Sequence, residues 1–247
     1  MNTSGHRLDS MTQAGVVPEP RGRSKAAGHI GGDTPPPVSV LYGSFSCPWC
    51  YLASQRTSLL ADLSRRPLWR MIAPQPRLPA AGRPLDASAR QRLEVELAST
   101  NDILLPGEKL PARVPTFVPN TGPAVVGYSE AVGAGVGGPV RELLFDAYWQ
   151  RGADIVNPEV LRRLLAAPIR AGHSASWPLR DFGYAVSLAG GPINNDAYDR
   201  IRDWRADWHA AKGTTFPTLI SPDTTSAGKA VLAILGDKPP TSASWRN

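Results

Sequence analysis

Cys47 and Cys50 are the two cysteines of a 247-residue chain, held in "SFSCPWCYLASQR" with Pro48 and Trp49 between them. Two thiols at this spacing can exchange with a disulfide, hold half of a metal site, or sit inert in a core. Proline is well tolerated at the first position of a helix, where no amide hydrogen is missed, so Pro48 marks a helix start. The unpaired amides and dipole of that first turn then favour negative charge on the Cys47 sulfur. Because the thiolate is the attacking species in exchange, Cys47 is the candidate nucleophile. Cys50, one turn further in and more covered, is the candidate resolving thiol. Pro48 and Trp49 are uncharged, so the expected stabilisation of the Cys47 thiolate is moderate rather than extreme. Structural zinc takes about four ligands, and this chain offers no second cysteine pair. His6 and His29 lie near the N-terminus, and His173 and His209 stand alone. No metal is expected, and a dithiol that cycles with a disulfide needs no external cofactor.

The elements that must position this pair can be read around it. "VSVLYGSF", from Val38, is short, β-branched and aromatic, as a buried strand requires. From Pro48, "PWCYLASQRTSLLADL" is helical in character, with Tyr51, Leu52, Leu59, Leu60 and Leu63 able to cover one face. Cys47 therefore falls where a strand gives way to a helix. "PLWRMIAP" reads as a second strand. Helices are expected near 88–100, 123–132, 140–151, 158–165 and 178–188. In "PVRELLFDAYWQRG", Val140, Leu143, Leu144, Ala147 and Tyr148 recur at helical spacing, with Gly152 as terminator. In "NDAYDRIRDWRADWHAAKG", Ala197, Ile201, Trp204, Trp208 and Ala211 form an apolar stripe that stops at Gly213. "TTFPTLIS" is a third strand opened by Pro217. "GAGVGGP" lacks the preceding strand of a phosphate loop and reads as an interhelical turn.

Composition narrows the class. A hydrophobic content of 42% supports a globular core, and two cysteines cannot form a disulfide framework. The formal charge of +6 is spread among acids, as in Arg200, Arg202, Asp203, Arg205 and Asp207. That is a solvated surface and no nucleic-acid patch. Residues 1–37, rich in Gly, Pro, Ser and Thr, read as a disordered tail without the apolar run of a signal peptide. No stretch is long and apolar enough to span a membrane. The expected location is the cytoplasm.

"CPWCY" after a strand, a helical block containing "PNTGPAVVGYSEA" and "ELLFDAYWQRGADIVNPEVLRRLL", and a late "TFPTLI" resemble the DsbA-like thioredoxin-fold oxidoreductases, in particular their cytoplasmic FrnE-type branch. The resemblance implies an α/β, thioredoxin-like fold with an inserted helical domain. The divisions are a tail at 1–37, a first thioredoxin part at 38–75, the insertion with its linkers at 76–195 and a second thioredoxin part at 196–247. It further implies that Pro217 is a cis-proline facing Cys47 and Cys50, and that Phe216 offers main-chain hydrogen bonds to a bound peptide. Pro48, Trp49, Phe216 and Pro217 would contact the substrate. That substrate would be a thiol or disulfide of a protein or a small molecule, glutathione among them.

Two departures stand out. Ser44 occupies the place where members of this branch often carry an acid. After "TFPTLI" the chain leaves room for a partner strand, "KAVLAIL", but for no closing helix, so the C-terminal part of the thioredoxin unit is expected to be truncated. Two other functions share this architecture. Kappa-class glutathione transferases and 2-hydroxychromene-2-carboxylate isomerases place a serine where Cys47 stands, and a degenerate relative could keep a peptide groove without catalysis.

Overall fold

The short apolar strand expected after Val38 is β1 (Val40–Gly43), and it lies inside a four-stranded sheet of order β2-β1-β5-β6. The computed structural model describes residues 38–60, 66–79 and 81–236. The expected tail at 1–37 and Leu63 of the first helix lie outside them. β2 (Leu68–Met71) runs parallel to β1 with Tyr42 opposite Arg70. β5 (Thr218–Ile220) runs antiparallel on the other side with Tyr42 opposite Thr218. The parallel pair requires a crossover, supplied by α1 (Pro48–Leu59).

Alternation along the strands gives the sheet two working faces. From one, Trp69 meets Phe145 of α4 (Gly137–Trp149) edge-on at 6.3 Å. From the other, Tyr42 meets Trp208 of α7 (Asn195–Ala210) at 5.3 Å. Of the residues proposed to cover one face of α1, Tyr51 and Leu52 are buried, whereas Leu59 is 68% exposed. The first turns of α1 are buried on all sides, Ser54, Arg56 and Thr57 included, because α4 and the C-terminal helix both pack on them.

Between β2 and β5 run α2 (Ala87–Asn101), α3 (Gly122–Gly133), α4, α5 (Pro158–Arg170), α6 (Trp177–Phe182) and α7. Within the glycine-rich 133–139 stretch, residues 134–136 are the turn from α3 to α4, and Gly137 to Pro139 already belong to α4. α5 runs on through Pro168, beyond the expected end. Leu161, Leu165 and Ile169 form a buried stripe across that proline, and their packing outweighs its helical cost of about 3 kcal/mol. α6 is shorter than expected, since Gly183 leaves the helix at φ +71°. A two-stranded ribbon, β3 (Arg83–Pro84) with β4 (Phe117–Val118), is too short to leave a periodic signal.

The C-terminal expectation needs correction. "KAVLAIL" is no strand: Lys229–Gly236 is a helix, α8, with Val231, Leu232 and Leu235 buried at helical spacing against α1. The partner strand is instead the polar β6 (Thr225–Ala227), antiparallel to β5. A seven-residue apolar run is ambiguous between helix and strand by periodicity alone. The truncation read from the sequence is therefore overturned, because a hairpin and a closing helix both lie within 218–236.

Candidate active site

Cys47 is the N-cap of α1, with extended backbone (φ −100°, ψ 121°) and Pro48 at the first helical position. Its amide closes a turn to the Ser44 carbonyl at 3.2 Å, and its own carbonyl accepts from the Tyr51 amide at 3.2 Å. The sulfur is thus delivered at the mouth of the first turn and stays half-buried. Cys50, one turn on, is completely buried. Both are free thiols.

The segment before the motif is fixed by α3 and α4. Phe45 has no exposed surface and packs against Phe145 at 5.1 Å and Tyr128 at 6.1 Å. Its carbonyl accepts the Trp149 indole N–H at 3.1 Å. Held this way, Ser44 aims its amide at the Cys50 sulfur, 3.4 Å distant. Ser44 therefore contributes a backbone donor, while its hydroxyl bonds Ser46.

Burial pushes the Cys50 thiol well above its ordinary value, and the hydrogen bond and charge of Cys47 push the same way. The Ser44 amide opposes them, since it favours the thiolate. At neutral pH the inner sulfur keeps its proton.

Across the sheet, the Phe216–Pro217 peptide is cis. The Cys47 thiol donates to the Phe216 carbonyl at 3.5 Å, joining residues 169 positions apart in sequence. The Phe216 ring stacks on Trp208 at 4.7 Å and 13°. The Pro217 carbonyl accepts the Gly228 amide at 2.8 Å, which brings the start of α8 to the same spot. Of the residues expected to contact substrate, Pro48 and Pro217 are buried, Trp49 is 8% exposed, and Phe216 is half-buried.

Two charged residues near the pair went unread in the sequence. Lys229 at the start of α8 places its ammonium 5.1 Å from the centre of the Trp49 ring. Glu96 of α2 is half-buried. Burial raises the Glu96 carboxyl, and the Trp49 indole partly offsets this. A signal was present: Leu93, Leu97 and Thr100 lie on the covered side of α2, and Glu96 falls among them where a hydrophobe would serve packing better. Among the described residues no group of histidine, cysteine and acidic side chains is arranged to hold a metal ion.

No family model matches the sequence, and no curated protein matches it. Solved structures do. A probable DsbA oxidoreductase from Streptomyces coelicolor is similar at TM-score 0.58 and 16% identity, over 83% of this chain and 92% of that one. The cytosolic disulfide reductase DsbM from Pseudomonas aeruginosa, in a structure with glutathione, is similar at TM-score 0.50 and 15% identity, over 80% and 96%. A 2-hydroxychromene-2-carboxylate isomerase is similar at TM-score 0.51 and 22% identity, over 80% and 92%. With its four-stranded sheet, the helices between β2 and β5 and these likenesses, the chain has the DsbA-like thioredoxin fold.

Proposed function

We propose that this protein is a thiol–disulfide oxidoreductase whose redox pair is Cys47 and Cys50. The observation that carries this reading is the asymmetry of the two sulfurs: Cys47 is partly open at a helix N-cap beside the Phe216 carbonyl, and Cys50 is fully buried one turn further in. The Cys47 thiolate attacks one sulfur of a substrate disulfide. The substrate S–S bond breaks, a new S–S bond joins Cys47 to that sulfur, and the other substrate sulfur leaves as a thiolate that takes up a proton. Cys50 then loses its proton and attacks the Cys47 sulfur, which releases the second substrate thiol and closes the Cys47–Cys50 disulfide. Two electrons have passed from protein to substrate. A thiol reductant such as glutathione reverses the steps, and a different partner potential runs the cycle as oxidation.

The Phe216 carbonyl and the edges of Trp49 and Pro217 form the wall against which an extended substrate lies. Pro48 shapes the turn from beneath. Segment 76–195 is read as the insertion that supports Phe45 and hence Cys50. The likeness to a cytosolic disulfide reductase supports a cytoplasmic setting and glutathione as a partner thiol. No helix among the described residues is long and apolar enough to cross a membrane.

Insulin reduction and reoxidation of reduced ribonuclease test the assignment. Wild type is expected to catalyse at least one of them, and Cys47→Ser neither; equal activity in Cys47→Ser overturns the assignment. A glutathione-dependent isomerase is the second reading, favoured by the likeness to the isomerase. Saturable glutathione binding without redox turnover would select it.

A further inference from the structure

A cleft of about 490 Å³ opens beside the far end of α1, between β2 and the start of α4. Ser58 on its wall stands eight residues beyond Cys50, about 12 Å along the helix, so the cleft is separate from the dithiol. We propose that it binds a small phosphate monoester, a role independent of the redox reading. Trp69 of β2 lines it and is only 6% exposed. The Cε3–Cζ3 edge of this ring lies against Gly43, where a Cβ would approach Cζ3 to 2.8 Å. The indole N–H, on the opposite edge, has no hydrogen-bond partner among the described residues. Buried donors are seldom left so without a water, an ion or a ligand to receive them.

Further donors reach the same cleft from two sides. Arg141 of α4, also 6% exposed, sits 4.8 Å from the centre of the Trp69 ring. Its Nε donates to Ser54 at 2.8 Å and its Nη2 to Ser58 at 3.1 Å, while Nη1 has no partner among the described residues. α4 itself begins here: its N-cap Val136 makes no side-chain bond, and the amides of Gly137 and Gly138 have no intrahelical acceptor. A Cβ at Gly138 would meet nothing within 4 Å, so that turn is open. Arg66, exposed before β2, gives Nε and Nη2 to the carbonyls of Leu60 and Ser58 and keeps Nη1 over. Glu142 is the acid on the rim, 3.5 Å from Arg141, and it already accepts the Ser58 hydroxyl. Two guanidinium groups outnumber it. Guanidinium forks and helix-start amides are the donors that phosphate takes, and together they exceed what the two oxygens of a carboxylate can use. Trp69, Tyr128 and Val132 supply an apolar wall for an organic body, in a space of the size that small-molecule sites occupy.

Titration of the full chain with phenyl phosphate, followed by proton–nitrogen NMR of the tryptophan indoles, tests the site. The Trp69 signal is identified by its loss in Trp69→Phe, which keeps an aromatic ring on β2 and removes the donor. In wild type that signal is expected to move saturably. Inorganic phosphate should move it in the same direction at higher concentration, and phenol should leave it in place. Trp69→Phe and Arg141→Lys should each bind phenyl phosphate about tenfold more weakly, as read from the backbone amides around Gly138. Arg141 also braces α1, so the exposed Arg66→Gln serves as the variant that leaves packing intact, with a loss of about threefold. A Trp69 indole that does not move overturns the inference, as does phenol binding as tightly as phenyl phosphate. Benzoate binding as tightly as phenyl phosphate would overturn the choice of phosphate. Unchanged affinity in both Trp69→Phe and Arg66→Gln would place the ligand elsewhere and overturn it too.

Discussion

Each sulfur has its own surroundings. Cys47 has only a cap, a carbonyl neighbour and partial exposure, whereas Cys50 is enclosed and pushed up by burial. Brief iodoacetamide treatment of the reduced protein at neutral pH is therefore expected to modify Cys47 at least tenfold faster than Cys50, since the thiolate is the reactive form and needs access. Peptide mass mapping reads this directly, and comparable labelling of Cys50 would contradict it. The placement of these two residues was legible in the sequence because Pro48 fixes where the helix starts. What Ser44 does was not legible. Its side chain is what a sequence displays, yet its amide is what reaches Cys50, and an amide's direction depends on Phe45 being clamped by residues about a hundred positions away.

At the scale of elements, the site depends on α1 staying fixed against α8 and the loop after α2. Arg56 does this: it donates to the Leu232 carbonyl of α8 at 2.5 Å, to the Ile103 carbonyl at 2.6 Å and to both oxygens of Glu108. The Glu108 side chain has no exposed surface. Arg56→Ala leaves that carboxylate buried without a counter-charge, so urea denaturation should show a loss of about 3–5 kcal/mol. A loss under about 1 kcal/mol would mean that the loop simply opens and hydrates Glu108. β1 and the start of α1 were readable from β-branched and aromatic content and from Pro48, whereas the covered face of α1 was not, since its first turns are buried on all sides. α8 and β6 exchanged identities for a physical reason: a short run of Val, Leu and Ile satisfies either period, and β6 is an edge strand of Thr, Ser and Ala with little apolar content. Only the packing of Val231, Leu232 and Leu235 on α1 decides between them.

For the molecule as a whole, the buried thiol ties stability to pH. Folding raises the affinity of Cys50 for its proton, so its contribution is full below the unfolded thiol value near 9.0 and falls as pH climbs from there toward the folded value. Reduced wild type compared with Cys50→Ala, by chemical denaturation from about pH 7 to about pH 10, should therefore lose its margin above pH 9. Tyr128, pushed up to about 12 by burial, is common to both proteins and cancels. Parallel stability curves would contradict the burial of Cys50 as a proton-holding group. The fold brings Cys47, Cys50 and the Phe216 carbonyl together, and the proposed function makes them a reversible redox centre. Equilibration of the reduced protein against graded mixtures of reduced and oxidised glutathione tests it most directly, with thiols counted after acid quenching. One two-electron transition is expected between the dithiol and an intramolecular Cys47–Cys50 disulfide, absent in Cys47→Ser and in Cys50→Ser. A pair that stays reduced throughout, or that yields only a stable glutathione adduct, would contradict it.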